Sequence, residues 1–233
     1  MDFQTPLIRA TLIRRYKRFL ADVKLEDGRE VTAHVANPGS MLGMKDEGMT
    51  VWLETNDDPK RKLKYSWKLA EVEGAVVVVD TAMANVVVAE ALRARAIEPL
   101  AAYTSVRAEV KYGESSRIDF LLQDDGLLDC YVEVKSVTLS RMDGVAEFPD
   151  SVTKRGAKHL HELSAMVEQG YRAVMLYLVQ RDDCKQFALA ADIDPTYAAE
   201  VAAAREAGVE MLCYTTKPTP RGVNLVEELS IYM

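Results

Sequence analysis

Two short stretches hold the residue types that could do chemistry on a charged substrate. Ser116-Arg117-Ile118-Asp119-Phe120 and Tyr131-Val132-Glu133-Val134-Lys135-Ser136 both read as strands, with Asp124-Asp125-Gly126 between them as a turn. A hairpin symmetric about Gly126 pairs Asp119 with Glu133 and Arg117 with Lys135. Directly opposed side chains on an antiparallel ladder have Cβ atoms about 4.5–5.5 Å apart, and like charges held that way are destabilising. Two facing carboxylates therefore call for a compensating cation, and Mg²⁺ is a hard ion that carboxylates suit. A phosphate near Arg117 and Lys135 would answer the paired cations in the same way. A bulge or a one-residue slip would send one carboxylate to the other face of the sheet.

The bare spacing Asp/Glu-x-Lys carries little information, because it recurs at Asp22, Asp58, Glu109, Glu133 and Asp183. The copy at Glu109-Val110-Lys111 also falls on an expected strand. The Glu133 copy is set apart by a preceding strand with an inward Asp, a hairpin in register, and an upstream helix carrying Glu90. Downstream, Arg155, Lys158, His159 and Glu162 recur at i, i+3, i+4 and i+7 and form one stripe of a helix. Leu160, Leu163 and Val167 form the apolar stripe of the same helix. Beside the hairpin, the polar stripe could hold a scissile phosphate or orient a water, with His159 as a proton relay near neutral pH; elsewhere it would be an ordinary solvated face. His34 and His161 are expected to be structural, and no His/Cys spacing matches a zinc site.

The elements that must position these groups divide near residue 82. Before it, Phe19 to Leu25, Val31 to Val35, Val51 to Thr55, Leu63 to Glu73 and Ala75 to Asp80 read as short strands. Asp27-Gly28 and Asn37-Pro38-Gly39-Ser40 supply turns. A run of short strands without a helix predicts a small barrel over residues 1–82, of which the OB-fold is the commonest of that size. After it, Asn85 is expected to cap a helix from about Val86 to Arg95. Strands follow at Val106 to Lys111, Arg117 to Leu122 and Cys130 to Leu139. A helix capped by Asp150 or Ser151 runs to about Gln169, and Ala173 to Val179 is a fully buried strand. Asp194-Pro195 opens an Ala-rich helix closed by Gly208, and Val209 to Tyr214 is a last strand. Helices alternating with strands over 83–233 predict an α/β sheet covered by helices.

Two basic knots lie in the barrel region: Arg14-Arg15-Tyr16-Lys17-Arg18-Phe19 and Lys60-Arg61-Lys62-Leu63-Lys64-Tyr65, with Trp67 close behind. Cations that track phosphates and aromatic faces that stack bases are how OB-folds grip single strands. Each knot could equally be a charged hairpin that keeps the surface soluble.

The chain has 233 residues, 48% of them hydrophobic and 28% charged, which places it among ordinary globular proteins and excludes a disordered or collagen-like one. Residues 1–80 carry 13 basic and 13 acidic side chains, so the net charge of −7 belongs to the remainder. A polyanion would have to bind locally, against an unfavourable overall field. No run approaches the roughly 18 apolar residues of a membrane span. Asp2, Gln4 and Arg9 interrupt any apolar start, so no signal peptide is expected. Three cysteines without a CxxC fit reduced, buried thiols in a cytoplasmic protein.

Asn37-Pro38-Gly39-Ser40-Met41, Arg117-Ile118-Asp119-Phe120, Glu133-Val134-Lys135-Ser136-Val137-Thr138-Leu139, Phe148-Pro149-Asp150 and Arg155-Gly156-Ala157-Lys158-His159-Leu160 occur in that order. Together they resemble the sugar fermentation stimulation protein family across nearly the whole chain. The resemblance implies an N-terminal OB-fold β-barrel followed by a restriction-endonuclease-like α/β (α+β) domain with a mixed central sheet, similar to the PD-(D/E)xK nucleases. It implies Asp119 and Glu133 as metal ligands, Lys135 as the catalytic lysine, and Glu90 as an additional acidic ligand. The chain departs from many relatives at Val35, where their motif His-Cys-Pro-Asn-Thr-Gly-Ser has a thiol.

Three functional readings follow. One is a DNA-binding protein, largely indifferent to sequence, that regulates sugar (chiefly maltose) metabolism and carries a nuclease-like metal site. Its phosphate contacts would come from Arg14, Arg15, Lys17, Arg18, Lys60, Arg61, Lys62, Lys64, Arg117, Arg155, Lys158 and His159. Another is an active Mg²⁺- or Mn²⁺-dependent phosphodiesterase. The last is an oligosaccharide-binding protein, with the barrel as its sugar site. None involves a membrane, and the oligomeric state stays open, a homodimer included.

Overall fold

In the computed structural model, which describes residues 1–113 and 116–232, the first domain is a closed barrel. Its strands are β1 (Ile8–Tyr16), β2 (Leu20–Leu25), β3 (Glu30–Val35), β4 (Thr50–Thr55) and β5 (Tyr65–Val72). They run in the order β3-β2-β1-β4-β5, and a parallel pairing of β3 with β5 closes the ring. The sequence reading left out β1, whose run of cations hides a short alternation in which Ala10 and Leu12 face inward. A register shift between Leu12 and Arg14 then ends the alternation. Leu12, Val23, Val35, Leu53 and Trp67 fill the barrel. Its sixth strand, β6 (Ala75–Val78), pairs with β5 and reaches across to the second domain, where Val78 N donates to Gln180 O at 2.9 Å.

The second domain opens with α1 (Met83–Arg93), followed by β7 (Ser105–Tyr112), β8 (Ser116–Gln123) and β9 (Cys130–Val137) as an antiparallel meander. A small hairpin, β10 (Leu139–Met142) and β11 (Val145–Phe148), leads to α2 (Lys154–Glu168). Then come β12 (Arg172–Val179), β13 (Gln186–Leu189), α3 (Pro195–Glu206), β14 (Glu210–Thr219), β15 (Gly222–Glu228) and β16 (Ser230–Tyr232). The main sheet is mixed, in the order β15-β14-β12-β9-β8-β7, with β9, β12 and β14 parallel. Strands buried on both faces should read as a continuous apolar run, and β12 does. Val174, Leu176 and Leu178 pack toward α1, while Met175, Tyr177 and Val179 pack toward α2 and α3. The short strands β10, β11, β13 and β16 form a separate sheet of four, too brief to leave a periodic signal in the sequence.

Two helix starts differ from the sequence reading. α1 begins at Met83 with no side-chain cap from its N-cap residue, and Asp80 Oδ1 accepts from Ala82 N at 3.1 Å. Asn85 therefore lies inside the helix. α2 is capped by Thr153, whose Oγ1 accepts from Gly156 N at 3.0 Å, and not by Asp150 or Ser151. α3 is capped by Asp194, as its sequence predicts. Residues 1–3 add to the edge of the second sheet through β15: Phe3 N donates to Arg221 O and Val223 N to Met1 O. Among the described residues no helix is long and apolar enough to cross a membrane.

Candidate active site

The site forms where β8 separates from β9. Their ladder keeps the register expected from Gly126 through Leu122↔Cys130 and Phe120↔Val132, and there the pairing stops. On the other side of β8, pairing with β7 continues through Val110↔Ile118 to Tyr112↔Ser116. Glu109 has φ +56° there, a left-handed conformation that costs a non-glycine residue. Ile118 packs with the α2 face while Phe120 packs with the α1 face, so β8 rolls over at Asp119. The freed Asp119 carboxylate takes the place of the missing ladder: Oδ2 accepts from Val134 N at 2.7 Å, and Oδ1 from Asn85 Nδ2 at 2.7 Å. The direct Asp119–Glu133 ladder pair expected from the sequence is thus replaced by an opened seam. The Arg117–Lys135 pair does not form either, because the β8–β9 ladder has already ended at Phe120↔Val132.

Glu133 is buried, and its Oε1 receives both Lys135 Nζ at 2.8 Å and the ring of His159 through Nδ1. The tautomer of His159 follows from its other partner. Arg155 Nε, which can only donate, lies 3.2 Å from His159 Nε2. Nδ1 lies beside both the Glu133 carboxylate and, at 3.1 Å, the Lys135 ammonium; the carboxylate is the closer partner, so Nδ1 donates to Glu133 and Nε2 accepts from Arg155. His159 is buried between an arginine and a carboxylate, which makes it a group that holds Glu133 in place. Both ring nitrogens are engaged, Nδ1 by Glu133 and Nε2 by Arg155, so the ring stands in the site beside the carboxylate it supports.

The two carboxyls are driven apart in acidity. Burial, and then the neighbouring Glu133 charge, raise Asp119 above the ordinary carboxylate value. Burial also works to raise Glu133, but the His159 hydrogen bond and the Lys135 charge outweigh it and hold Glu133 below its ordinary value.

The barrel supplies part of the wall. Arg15 donates to the carbonyls of Asn37 at 2.9 Å and Gly39 at 3.2 Å, and Asn37 Nδ2 donates to Val79 O at 3.0 Å. Across the domain boundary, Ser40 Oγ donates to Asp150 O at 2.9 Å and to Oδ2 at 3.1 Å, and Met41 N donates to Oδ2 at 3.0 Å. A Cβ at Gly39 would lie 2.8 Å from Asp150 Oδ2, so this close approach needs a glycine. Asn37, Pro38 and Gly39 consequently line a cavity of about 320 Å³ together with Asn85, Asp119, Glu133, Lys135, Asp150, Arg155 and His159. An adjoining cavity of about 380 Å³ shares Asp119, Arg155 and His159 and adds Arg117 and Lys158. Arg155 is exposed, and among the described residues no hydrogen bond from its terminal nitrogens to a protein acceptor is found. Lys158 is 3.2 Å from Ser116 Oγ and 3.5 Å from Glu162.

Other residues singled out from the sequence lie elsewhere or do other work. Glu90 is not among the cavity residues; its exposed carboxylate pairs with the Met1 ammonium at 2.8 Å. Arg14 pairs with Asp22 and lies over the Tyr16 ring, and Arg15 braces the barrel loop from within. Lys17, Arg18, Lys60, Arg61, Lys62 and Lys64 are exposed on the barrel, Lys64 donating to Asp58 O. Trp67 is fully enclosed, its Nε1 bonded to Leu69 O, and so offers no face to a base. The sequence reading missed Asn85 and Asp150 as site residues. Asn85 looked like a helix cap, and Asp150 had only its place in the Phe148-Pro149-Asp150 motif as a signal.

As a cation site the arrangement has a limited donor set. Among the described residues no group of three or more His, Cys, Asp or Glu side chains gathers as a metal cluster. The carboxylate pair still fits Mg²⁺ or Mn²⁺, since Mg²⁺ is commonly held by one or two carboxylates with water and substrate oxygens completing the shell. Glu133 Oε2 fits it further, being buried with no hydrogen-bond partner.

Two family models match the chain: the SfsA N-terminal OB domain over residues 13–79 and the sugar fermentation stimulation protein RE domain over residues 82–222. A sugar fermentation stimulation protein homolog from Ruegeria sp. is 65% identical, with 97% of each chain covered. One from Ruegeria pomeroyi is 63% identical over 98% of this chain and 100% of its own. The solved structure of Pyrococcus furiosus SfsA in complex with Ca²⁺ superposes with a TM-score of 0.90 at 24% identity, over 100% of this chain and 98% of that one. That likeness establishes the shared fold.

Proposed function

Because the chain belongs to the sugar fermentation stimulation protein family, we propose that it is a DNA-binding protein whose interdomain cleft is a nuclease-like phosphodiester site. The observation that carries this reading is the convergence of Asp119 and Glu133 on one cavity, with the Lys135 ammonium 2.8 Å from the Glu133 carboxylate. Asp119 and Glu133 would hold Mg²⁺ or Mn²⁺, which when bound polarises a phosphate and lowers the pKa of an attached water. Lys135 stands where it can stabilise negative charge that develops on a phosphate beside Glu133. His159 fixes the Glu133 rotamer, Asn85 fixes Asp119, and Arg155 offers a fork suited to a phosphate. The exposed cations Lys17, Arg18 and Lys60 to Lys64 add affinity that does not depend on sequence. A regulatory effect on sugar metabolism would then act through bound DNA.

The test is to incubate the purified protein with varied DNA and RNA in Mn²⁺, alongside Lys135→Ala. Cleavage abolished by the substitution supports a phosphodiesterase; cleavage that survives it argues for a contaminant. Binding without cleavage supports the DNA-binding reading alone. Its affinity should fall steeply with salt and weaken on charge reversal at Lys60, Arg61, Lys62 and Lys64. Binding insensitive to salt would count against both.

A further inference from the structure

Resting on the function proposed above, we infer that the cleft takes a single-stranded nucleic acid segment and turns away an intact duplex, and that the clasp between Asp150 and the barrel loop enforces this choice. The carboxylates are not on an open face. The wall around them is completed by Asn37, Pro38 and Gly39 of the barrel, and the cavity measures about 320 Å³. That lies at the lower end for small-ligand sites and matches one nucleotide-sized unit better than a helix with two backbones. A phosphate of an intact duplex brings its partner strand with it, which a slot bounded by two domains would have to admit as well.

The loop is also held in place. It is tied inside the barrel by Arg15 on the carbonyls of Asn37 and Gly39, and by Asn37 on Val79 O. It is tied across the boundary by Ser40 and Met41 on Asp150. β6 adds a rigid backbone link between the domains, from Val78 N to Gln180 O. Swinging the loop aside to admit a duplex would break several partly buried hydrogen bonds together, those to the Arg15 and Asp150 side chains among them. A single strand needs no such opening. It can pass from the carboxylate cavity into the adjoining one, where Arg117, Arg155 and Lys158 can meet the next phosphate.

The experiment uses the full chain and a fluorescein-labelled oligonucleotide, either single-stranded or annealed to its complement. Anisotropy is read in EDTA and again in Ca²⁺, and cleavage of both forms is read in Mn²⁺. The single strand should bind about tenfold or more tightly than the duplex, and any cleavage should fall on single-stranded or frayed segments. Asp150→Asn should narrow that ratio by loosening the clasp. Ser40→Ala, the milder change, should narrow it less and serves if the first variant folds poorly. Equal binding and equal cleavage of both forms, or a ratio unmoved in a folded clasp variant, overturns the inference and leaves the broader DNA-binding reading standing. Failure of both forms to bind overturns the two together.

Discussion

The carboxylate of Asp119 accepts the backbone N–H of Val134 at 2.7 Å, at the point where β8 leaves β9. A side chain thus replaces a strand carbonyl as the partner of a sheet amide. Seam and site are one feature: the same oxygen atoms that stop the Val134 amide from being orphaned line the cavity shared with Glu133. Removing Asp119 should therefore act on stability and on cation binding separately.

Asp119→Ala leaves Val134 N–H and the Asn85 amide without acceptors, and should cost about 1–2 kcal/mol in urea unfolding. Asp119→Asn keeps an acceptor for Val134 and removes the like charge beside Glu133, so its stability should be close to that of the parent. Titration calorimetry with Mn²⁺ should show weakened binding in both variants. Equal stability loss in the two would mean that the Val134 hydrogen bond is not what Asp119 contributes.

His159 should be the Nδ1–H tautomer in the native protein, because Arg155 donates to Nε2. Nitrogen chemical shifts of the ring, read by long-range proton–nitrogen correlation, check this. Arg155→Ala should alter the Nε2 shift while Nδ1 stays bonded to Glu133. A native Nε2–H ring would overturn the assignment.

All three thiols are buried. Burial raises Cys130 to about 12 and Cys184 to about 11, and raises Cys213 as well. Near pH 8 the native protein should react with a disulfide reagent only as fast as it unfolds, and all the cysteines should react in denaturant. Fast labelling of any one in the native state would show that its surroundings open.

Arg181 is buried, and its fork bonds Asp183 at 2.6 and 2.7 Å. Those hydrogen bonds hold the Asp183 carboxyl below its ordinary value. A carboxyl whose folded value is depressed contributes stability that is present above the unfolded value and lost as pH falls through the folded one. Asp183→Asn should accordingly lower Tm at pH 7. The loss should correspond to about 1 kcal/mol, a modest figure because the carboxylate is partly exposed. The gap between parent and variant should close below about pH 4. A gap that stays constant through acid would show that the Asp183 charge is not involved.

Strong local signals carried through to the structure. The apolar run of β12, the register about Gly126 and the Asp194 cap each depend on neighbours close in the chain, and the α/β character of the second domain follows from the alternation of helices with strands. Where a side chain finds its partner across the fold, the sequence could not say. Trp67 stands among cations in the chain yet fills the barrel, and Glu90 sits on the expected helix yet meets the Met1 ammonium. Asn85 reads as a cap and becomes a support for Asp119, and Asp150 reads as a cap and becomes the tie to Ser40 and Met41. The residue types by themselves determined which groups could form a cation-holding site. Only tertiary packing decided which of them share a cavity, because a burial direction and a long-range hydrogen bond are set by which surfaces meet, and periodicity along one strand carries no record of that.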